Sequence, residues 1–254
     1  MNHLDVIERF KSLIGTHHVL TSHWNKLPHT KGWRYGSGSA LAVLKPGKLV
    51  EIWKILEICV EKDFIILMQA ANTGLTGGST PFGNNYDRPV VVINTMRIDH
   101  IHIIKGGNQI VSLAGSTLYS LEKKLKPYGR EPHSIIGSTS IGASIVGGVC
   151  NNAGGSLVQR GPSYTQMALY ARINKAGNLE LVNELGINLG STPEEILENL
   201  QNKNYQESDI PETDKLCSDN KYSQIVREIE MNSPSRFNSD TRLLYGASGS
   251  AGKI

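Results

Sequence analysis

Apolar positions along this chain fall into short runs of two periods, and the two periods predict its elements. Val6, Phe10, Leu13 and Ile14 recur at helical spacing and mark one face of a first helix. Residues 15–40 show no such period; they are polar, end in Tyr35-Gly-Ser-Gly-Ser39 and read as irregular. Ala40–Leu44 is an unbroken apolar run, a short strand stopped by Lys45-Pro-Gly47. Leu49, Ile52, Trp53, Leu56 and Val60 return to helical spacing, which predicts a helix over 48–62 with Trp53 in the core. The run at 64–69 is a buried strand, and strand, helix, strand makes a βαβ unit.

The same pattern continues. Pro89–Asn94 is another buried strand, and residues 101–104 and 109–114 read as a hairpin across Lys105-Gly-Gly-Asn108. Leu118, Leu121 and Leu125 predict a short helix ending at Pro127. Residues 169–174 and 179–182 flank a second hairpin turn, and 193–200 is a helix capped by Thr192. From 201 to 219 the chain is polar, which predicts a solvated insertion or a mobile loop. Ile225 and Ile229 suggest one more helix.

Composition narrows the function classes. The 254 residues are 39% hydrophobic and 19% charged, as in a soluble globular protein with a sizeable core. A net charge of +3, with dispersed basic residues, gives nucleic acid no basic patch to bind. Cys59, Cys150 and Cys217 lie far apart without a CxxC pair, so neither a zinc site nor a disulfide framework is expected. No apolar run approaches the ~20 residues that span a bilayer, and the charged amphipathic N-terminus is not a signal peptide.

Two glycine-rich segments carry the candidate chemistry. The first, Ala70–Thr80, follows the strand at 64–69 and reads AANTGLTGGST. Only Leu75 is bulky there, so several backbone N–H groups can turn toward one point, as in a nest that holds phosphate. Its spacing is not the G-x-G-x-x-G of a dinucleotide fold, and it leads to Pro81 and a turn rather than a helix. The nearest approach to a P-loop, at Gly252-Lys253, has Ala247 where the first glycine belongs and Ile254 where the hydroxyl residue belongs. Taken alone, the segment reads equally as a tight surface turn. The second segment, 137–155, holds Gly137, Gly142, Gly147, Gly148, Gly154 and Gly155 among small polar residues. Ile141, Ile145, Val146 and Val149 are expected to face a core while the glycines let a flat ligand approach, with Asn151 and Asn152 as hydrogen-bonding groups. Close strand packing is the alternative.

In order, Val43–Pro46 with its helix, Asn72–Ser79, Val91–Asn94 leading to Met96–Asp99, and 137–155 with Asn151-Asn-Ala-Gly-Gly155 resemble the FAD-binding domain of the vanillyl-alcohol oxidase (PCMH-type) flavoproteins. The strings Ile66–Thr76, Thr117–Glu122, Gly129–Ser134 and Gly155–Pro162 are similar, more narrowly, to the family of quinone-dependent respiratory D-lactate dehydrogenases.

This resemblance implies an α+β fold, a PCMH-type domain of two α+β subdomains with FAD between them. It implies oxidation of D-lactate to pyruvate by a flavoprotein that passes electrons to membrane quinone, peripheral on the cytoplasmic side of the bacterial inner membrane. By carry-over, Ala70, Ala71, Asn72, Thr73, Gly74, Gly78 and Ser79 wrap the FAD pyrophosphate, and Gly137, Ser144 and Gly154 contact the cofactor from the other side. FAD is expected to be non-covalent: neither glycine segment offers a histidine, and Cys150 sits among core-type residues.

The implied organisation is an N-terminal helix and lead-in at 1–39 and an FAD domain at 40–254, its first subdomain at about 40–95 and its second at about 96–254, with the polar insertion near 201–220. The family chain runs on past the position of Ile254 into cap and membrane-binding domains. The catalytic residues are therefore expected beyond Ile254, and this chain reads as a C-terminally truncated part, with a separately encoded C-terminal portion as a possible partner. A catalytically inactive FAD-binding remnant and an oxidoreductase for another D-2-hydroxy acid are the alternatives. No metal is expected. His133, just before the second segment, could approach the flavin but reads rather as a solvent-side or packing residue, His17, His18 and His23 as surface, and Arg160 as either a salt-bridge partner or a ligand contact. Arg34 and Lys31 are weak candidates for facing an anionic substrate.

Overall fold

The sheet that positions the first glycine segment is built from four short strands in a computed structural model that describes residues 3–218, 221–228, 230 and 247–250. Its strands are β1 (Val19–Leu20), β2 (Ala42–Leu44), β3 (Ile65–Gln69) and β4 (Val90–Asn94), in the order β1-β2-β4-β3. β2, β4 and β3 run parallel, and β1 closes the edge antiparallel to β2. The expected strand–helix–strand unit is present, with β4 inserted between its two strands. Every residue of β4 is buried, as a strand covered on both faces requires. β3, read from its apolar run as fully buried, is half-buried over Ile65–Met68, because it lies at the sheet edge.

Helix α1 (Leu4–Ile14) presents Val6, Ile7, Phe10 and Ile14 to the core, at the spacing its sequence predicts. It packs on α3 (Leu49–Glu61), which places Trp53 in the core as expected. The segment 15–40 is not wholly irregular. It contains α2 (His23–Thr30), capped by the Ser22 hydroxyl, which accepts from the Asn25 N–H. Its apolar residues Trp24 and Leu27 point to solvent, so no core-facing period announces it. Lys26 Nζ ties α2 to the start of β2 by donating to the Ala40 carbonyl at 2.5 Å.

The later elements are the hairpin β5 (Ile101–Ile104) with β6 (Gln109–Ser112), α4 (Leu118–Leu125), α5 (Ile145–Cys150), the hairpin β7 (Leu169–Ile173) with β8 (Leu179–Asn183), α6 (Pro193–Gln201) and α7 (Tyr222–Ile225). The Thr192 hydroxyl caps α6. Of the helix suggested around Ile225 and Ile229, the first part is α7; Ile229 lies outside the described residues. One core cluster joins α1, α3 and the sheet to Ile104, Ala171, Leu197 and Tyr205, so apolar packing crosses both boundaries expected at 39/40 and 95/96.

The polar stretch after α6 is more firmly held than its composition suggests. Tyr205 and His102, 4% and 7% exposed, share a hydrogen bond of 2.8 Å between the phenol oxygen and Nδ1. Burial, reinforced by the nearby Lys203 and Lys124 ammonium groups, pushes the imidazole down to about 4. The unfolded chain therefore binds this proton more readily than the folded one. Stability from His102 is complete above the unfolded value of about 6.5 and is lost as pH falls toward 4, by up to about 3 kcal/mol. Urea unfolding at pH 7 and pH 4.5 should show this loss, and His102→Gln should shrink it.

Candidate functional site

The first glycine segment leaves the C-terminal end of β3, the end of a parallel sheet where ligands collect in open α/β folds. Gln69 and Asn94 stand opposite each other in the last register pair of β3 and β4. Both are buried, at 2% and 3% exposure. Gln69 Nε2 donates to the carbonyls of His29 and Ser79, each at 2.9 Å. Its Oε1 contacts His29 Nδ1 at 2.8 Å and accepts from Asn94 Nδ2 at 3.2 Å. Asn94 Nδ2 also donates to the Ala70 carbonyl at 2.8 Å. The two amides thus clamp both ends of residues 70–79.

Asn72 closes the loop from inside. Its backbone is left-handed at φ 56°, a conformation asparagine tolerates better than most residues. Its Oδ1 accepts from Ser79 Oγ at 3.1 Å and Thr80 Oγ1 at 2.9 Å, while Nδ2 donates to the Lys31 carbonyl at 2.9 Å. With these side chains fixing the shape, the main-chain N–H groups are left unpaired. No backbone N–H from Ala71 to Ser79 donates a hydrogen bond among the described residues. A loop held by its side chains with its amides free meets the first requirement of an anion cradle. No charged residue occurs between Phe64 and Tyr86, so nothing in the loop repels a phosphate.

The second glycine segment folds around α5, a short helix that its sequence did not announce. Ser144 caps it by accepting from Gly147 N–H at 3.0 Å. Leu118 N donates to the Ala143 carbonyl and Ile145 N to the Ser116 carbonyl, fixing the segment to the start of α4. Ile145 packs on the β5–β6 cluster as expected, but Ile141 is exposed rather than core-facing, because it ends a one-turn helix just before Gly142 turns the chain left-handed at φ 94°. Gly142 is where the two segments meet: a Cβ added there would stand 3.8 Å from the Cβ of Ala71. The backbone N–H groups of Gly137, Ser144 and Gly154, the three residues expected to contact a ligand from this side, have no acceptor among the described residues.

The expected site residues Ala70–Gly74, Gly78 and Ser79 therefore lie on one loop, and the loop touches the segment carrying Gly137, Ser144 and Gly154. Gly74 and Gly137 have open space where a side chain would be, the nearest atom to a Cβ at Gly74 being Ser79 Oγ at 4.0 Å. The clamp residues Gln69, Asn94 and Thr80 escaped the sequence reading. A signal was available: each of two apolar strand runs ends on an amide. The aromatic rim escaped as well. Tyr35 and Phe82 stack at 6.0 Å beside Gly77, and both are exposed.

Arg160, one of the remaining candidates, is held in a structural contact. It pairs with Glu131 and donates to the Pro132 carbonyl at 3.3 Å. His133 is half-buried, its imidazole pushed below the ordinary value by burial and then by Arg160. Lys31 and Arg34 are exposed, as are His17 and His23, whereas His18 is half-buried. Cys150 is buried. Among the described residues no group of His, Cys, Asp and Glu is placed to hold a metal, and no helix is long and apolar enough to cross a membrane.

Free amides on two glycine segments that approach each other at Gly142, the first with no charged residue in it, fit a dinucleotide bound through its pyrophosphate. Comparison with known proteins gives the same reading. At the level of fold, the chain is similar to alkyldihydroxyacetonephosphate synthase (TM-score 0.58, 12% identity, 78% of this chain and 37% of that one). It is also similar to p-cresol methylhydroxylase (TM-score 0.50, 16% identity, 70% and 35%), which makes the fold the expected PCMH-type FAD-binding fold. In sequence it is 55% identical to quinone-dependent D-lactate dehydrogenase of Haemophilus influenzae over 249 residues, 98% of this chain and 44% of the relative. It is 54% identical to that of Escherichia coli over 242 residues, 95% and 42%. Mitochondrial D-2-hydroxyglutarate dehydrogenase of Bos taurus is 30% identical over 137 residues, 52% and 24%. The chain thus spans less than half the length of the curated relatives it matches. Residues 40–177, more than half of the chain, match the family model described as FAD binding domain, and the chain belongs to that family of FAD-binding proteins.

Proposed function

We propose that this chain is the FAD-holding portion of a quinone-dependent D-lactate dehydrogenase, binding FAD non-covalently between its two glycine segments. The observation that carries the reading is the likeness to such enzymes along nearly the whole chain, joined to a loop whose amides are free to take a pyrophosphate. Residues Ala70–Gly74, Gly78 and Ser79 hold the pyrophosphate, and Gly137, Ser144 and Gly154 approach the cofactor from the second segment. Bound flavin supplies the two-electron acceptor for oxidation of D-lactate to pyruvate, with membrane quinone as the final acceptor and the cytoplasmic face of the membrane as its place. The substrate-binding and acid–base groups belong to a further portion of polypeptide, in the same chain or encoded separately. The domain division at 39/40 and 95/96 is part of this reading.

The fainter likeness to D-2-hydroxyglutarate dehydrogenase supports a second reading, oxidation of another D-2-hydroxy acid. One experiment separates them. The purified chain should show oxidised-flavin bands near about 370 and 450 nm. Once the portion that carries the substrate-binding and acid–base groups is joined to the chain, anaerobic D-lactate should bleach them where L-lactate does not. Bleaching by D-2-hydroxyglutarate alone would favour the second reading. Bound flavin that no D-2-hydroxy acid reduces would leave the chain as a cofactor-binding part only.

A further inference from the structure

Asn152 closes the C-terminal end of α5 in the left-handed conformation, at φ 51°. The backbone alone completes this turn: Asn152 N donates to the Val149 carbonyl at 3.1 Å and Ala153 N to the Gly148 carbonyl at 2.8 Å. Glycine does that work with less strain, and this segment uses glycine at 147, 148, 154 and 155. The side chain, not the turn, therefore needs an explanation. Asn152 is only 3% exposed, and both Nδ2 and Oδ1 are buried without a hydrogen-bond partner. A buried amide with both ends unpaired is costly and is normally satisfied by protein, water or ligand. Two residues on, Gly154 is also buried, and its N–H has no acceptor among the described residues.

We propose that the Asn152 amide is a cofactor-recognition group. Its donor and acceptor, side by side in one plane, pair with a ring edge that presents an acceptor beside a donor, the geometry by which asparagine reads adenine. FAD has two such edges, the imide edge of the flavin and the amino edge of the adenine. The inference rests on the flavin reading above and adds to it the recognition of a ring edge by one side chain of the second segment.

The test is FAD titration of the wild-type chain, Asn152→Gly and Asn152→Asp, followed by flavin fluorescence and absorption, with thermal unfolding of each apo-chain in parallel. Asn152→Gly suits the left-handed backbone and should leave the apo-chain at least as stable. FAD affinity should fall about tenfold or more in both variants, since each loses a paired donor. If the flavin edge is the partner, riboflavin affinity falls too and the band near about 450 nm changes shape. If the adenine edge is the partner, riboflavin binding and the spectrum stay constant while ADP competes less well. Wild-type FAD affinity and spectrum in both variants would overturn the assignment, leaving the amide to water. A wild-type chain that takes up no FAD would overturn the flavin reading and this assignment with it.

Discussion

Gly74→Val and Gly137→Val should each abolish FAD uptake, by about a hundredfold in affinity or more, with little change in the thermal unfolding of the apo-chain. Glycine stands at these positions for one of two separable reasons, the backbone conformation or the space before the ligand. Neither position has a left-handed φ, and a Cβ at either meets no protein atom closer than 4.0 Å. Valine therefore costs the fold little; at position 74 its branched side chain crowds the free amides of the loop, and at position 137 it fills the open space beside that residue's own free N–H. A hundredfold loss corresponds to about 2.7 kcal/mol, less than the penalty of parting a pyrophosphate from several charge-assisted N–H bonds. Gly77 and Gly155 are the contrast. Gly77 has φ 76° and a Cβ there would lie 3.0 Å from the Tyr35 ring; Gly155 has φ 65° and a Cβ would lie 2.1 Å from the Ile135 carbonyl oxygen. Valine at either should lower the unfolding temperature whether or not FAD is present. Stoichiometric FAD in both Gly74→Val and Gly137→Val would remove these segments from the site.

The contrast also shows what the sequence makes visible. A backbone cradle needs a run of small residues, and small residues in a row are conspicuous, so both segments could be read directly. The role of each glycine could not, because φ and the distance to Ile135 or Tyr35 depend on partners far along the chain. Strands and helices with one apolar face toward the core were legible for the same local reason. Helix α2 was not, since Trp24 and Leu27 face solvent and the helix is held instead by the Ser22 cap and Lys26. The stretch after α6 looked solvated because its apolar anchors are sparse: Tyr205, whose partner His102 lies on a distant hairpin, and Ile210, which packs on the core. The amide clamp was hidden most completely: Gln69 and Asn94 mean little until β3 and β4 are set in parallel register.

That clamp is where the fold and the site are joined, and its removal should damage both. Gln69→Leu keeps the size of a buried side chain and deletes every polar contact it makes. The carbonyls of His29 and Ser79, the His29 ring and the Asn94 amide then lose a partner in a place with little water. Half-buried groups that each lose a partner at about 1–3 kcal/mol apiece, partly relieved by water and rearrangement, give an expected destabilisation of about 3–5 kcal/mol, a large part of the roughly 5–15 kcal/mol that holds a domain folded. FAD affinity should fall at least tenfold alongside, because the bond from Gln69 to the Ser79 carbonyl sets the far end of the cradle. Asn94→Leu should destabilise less, having fewer partners, and should free the Ala70 end instead. The double variant discriminates a clamp from two independent packing residues. With both amides gone, neither strands the other, so its destabilisation should fall short of the sum of the singles by about 1–2 kcal/mol. Urea unfolding of the four apo-proteins measures this directly; strict additivity would mean that the 3.2 Å contact between the two amides contributes nothing to holding the loop.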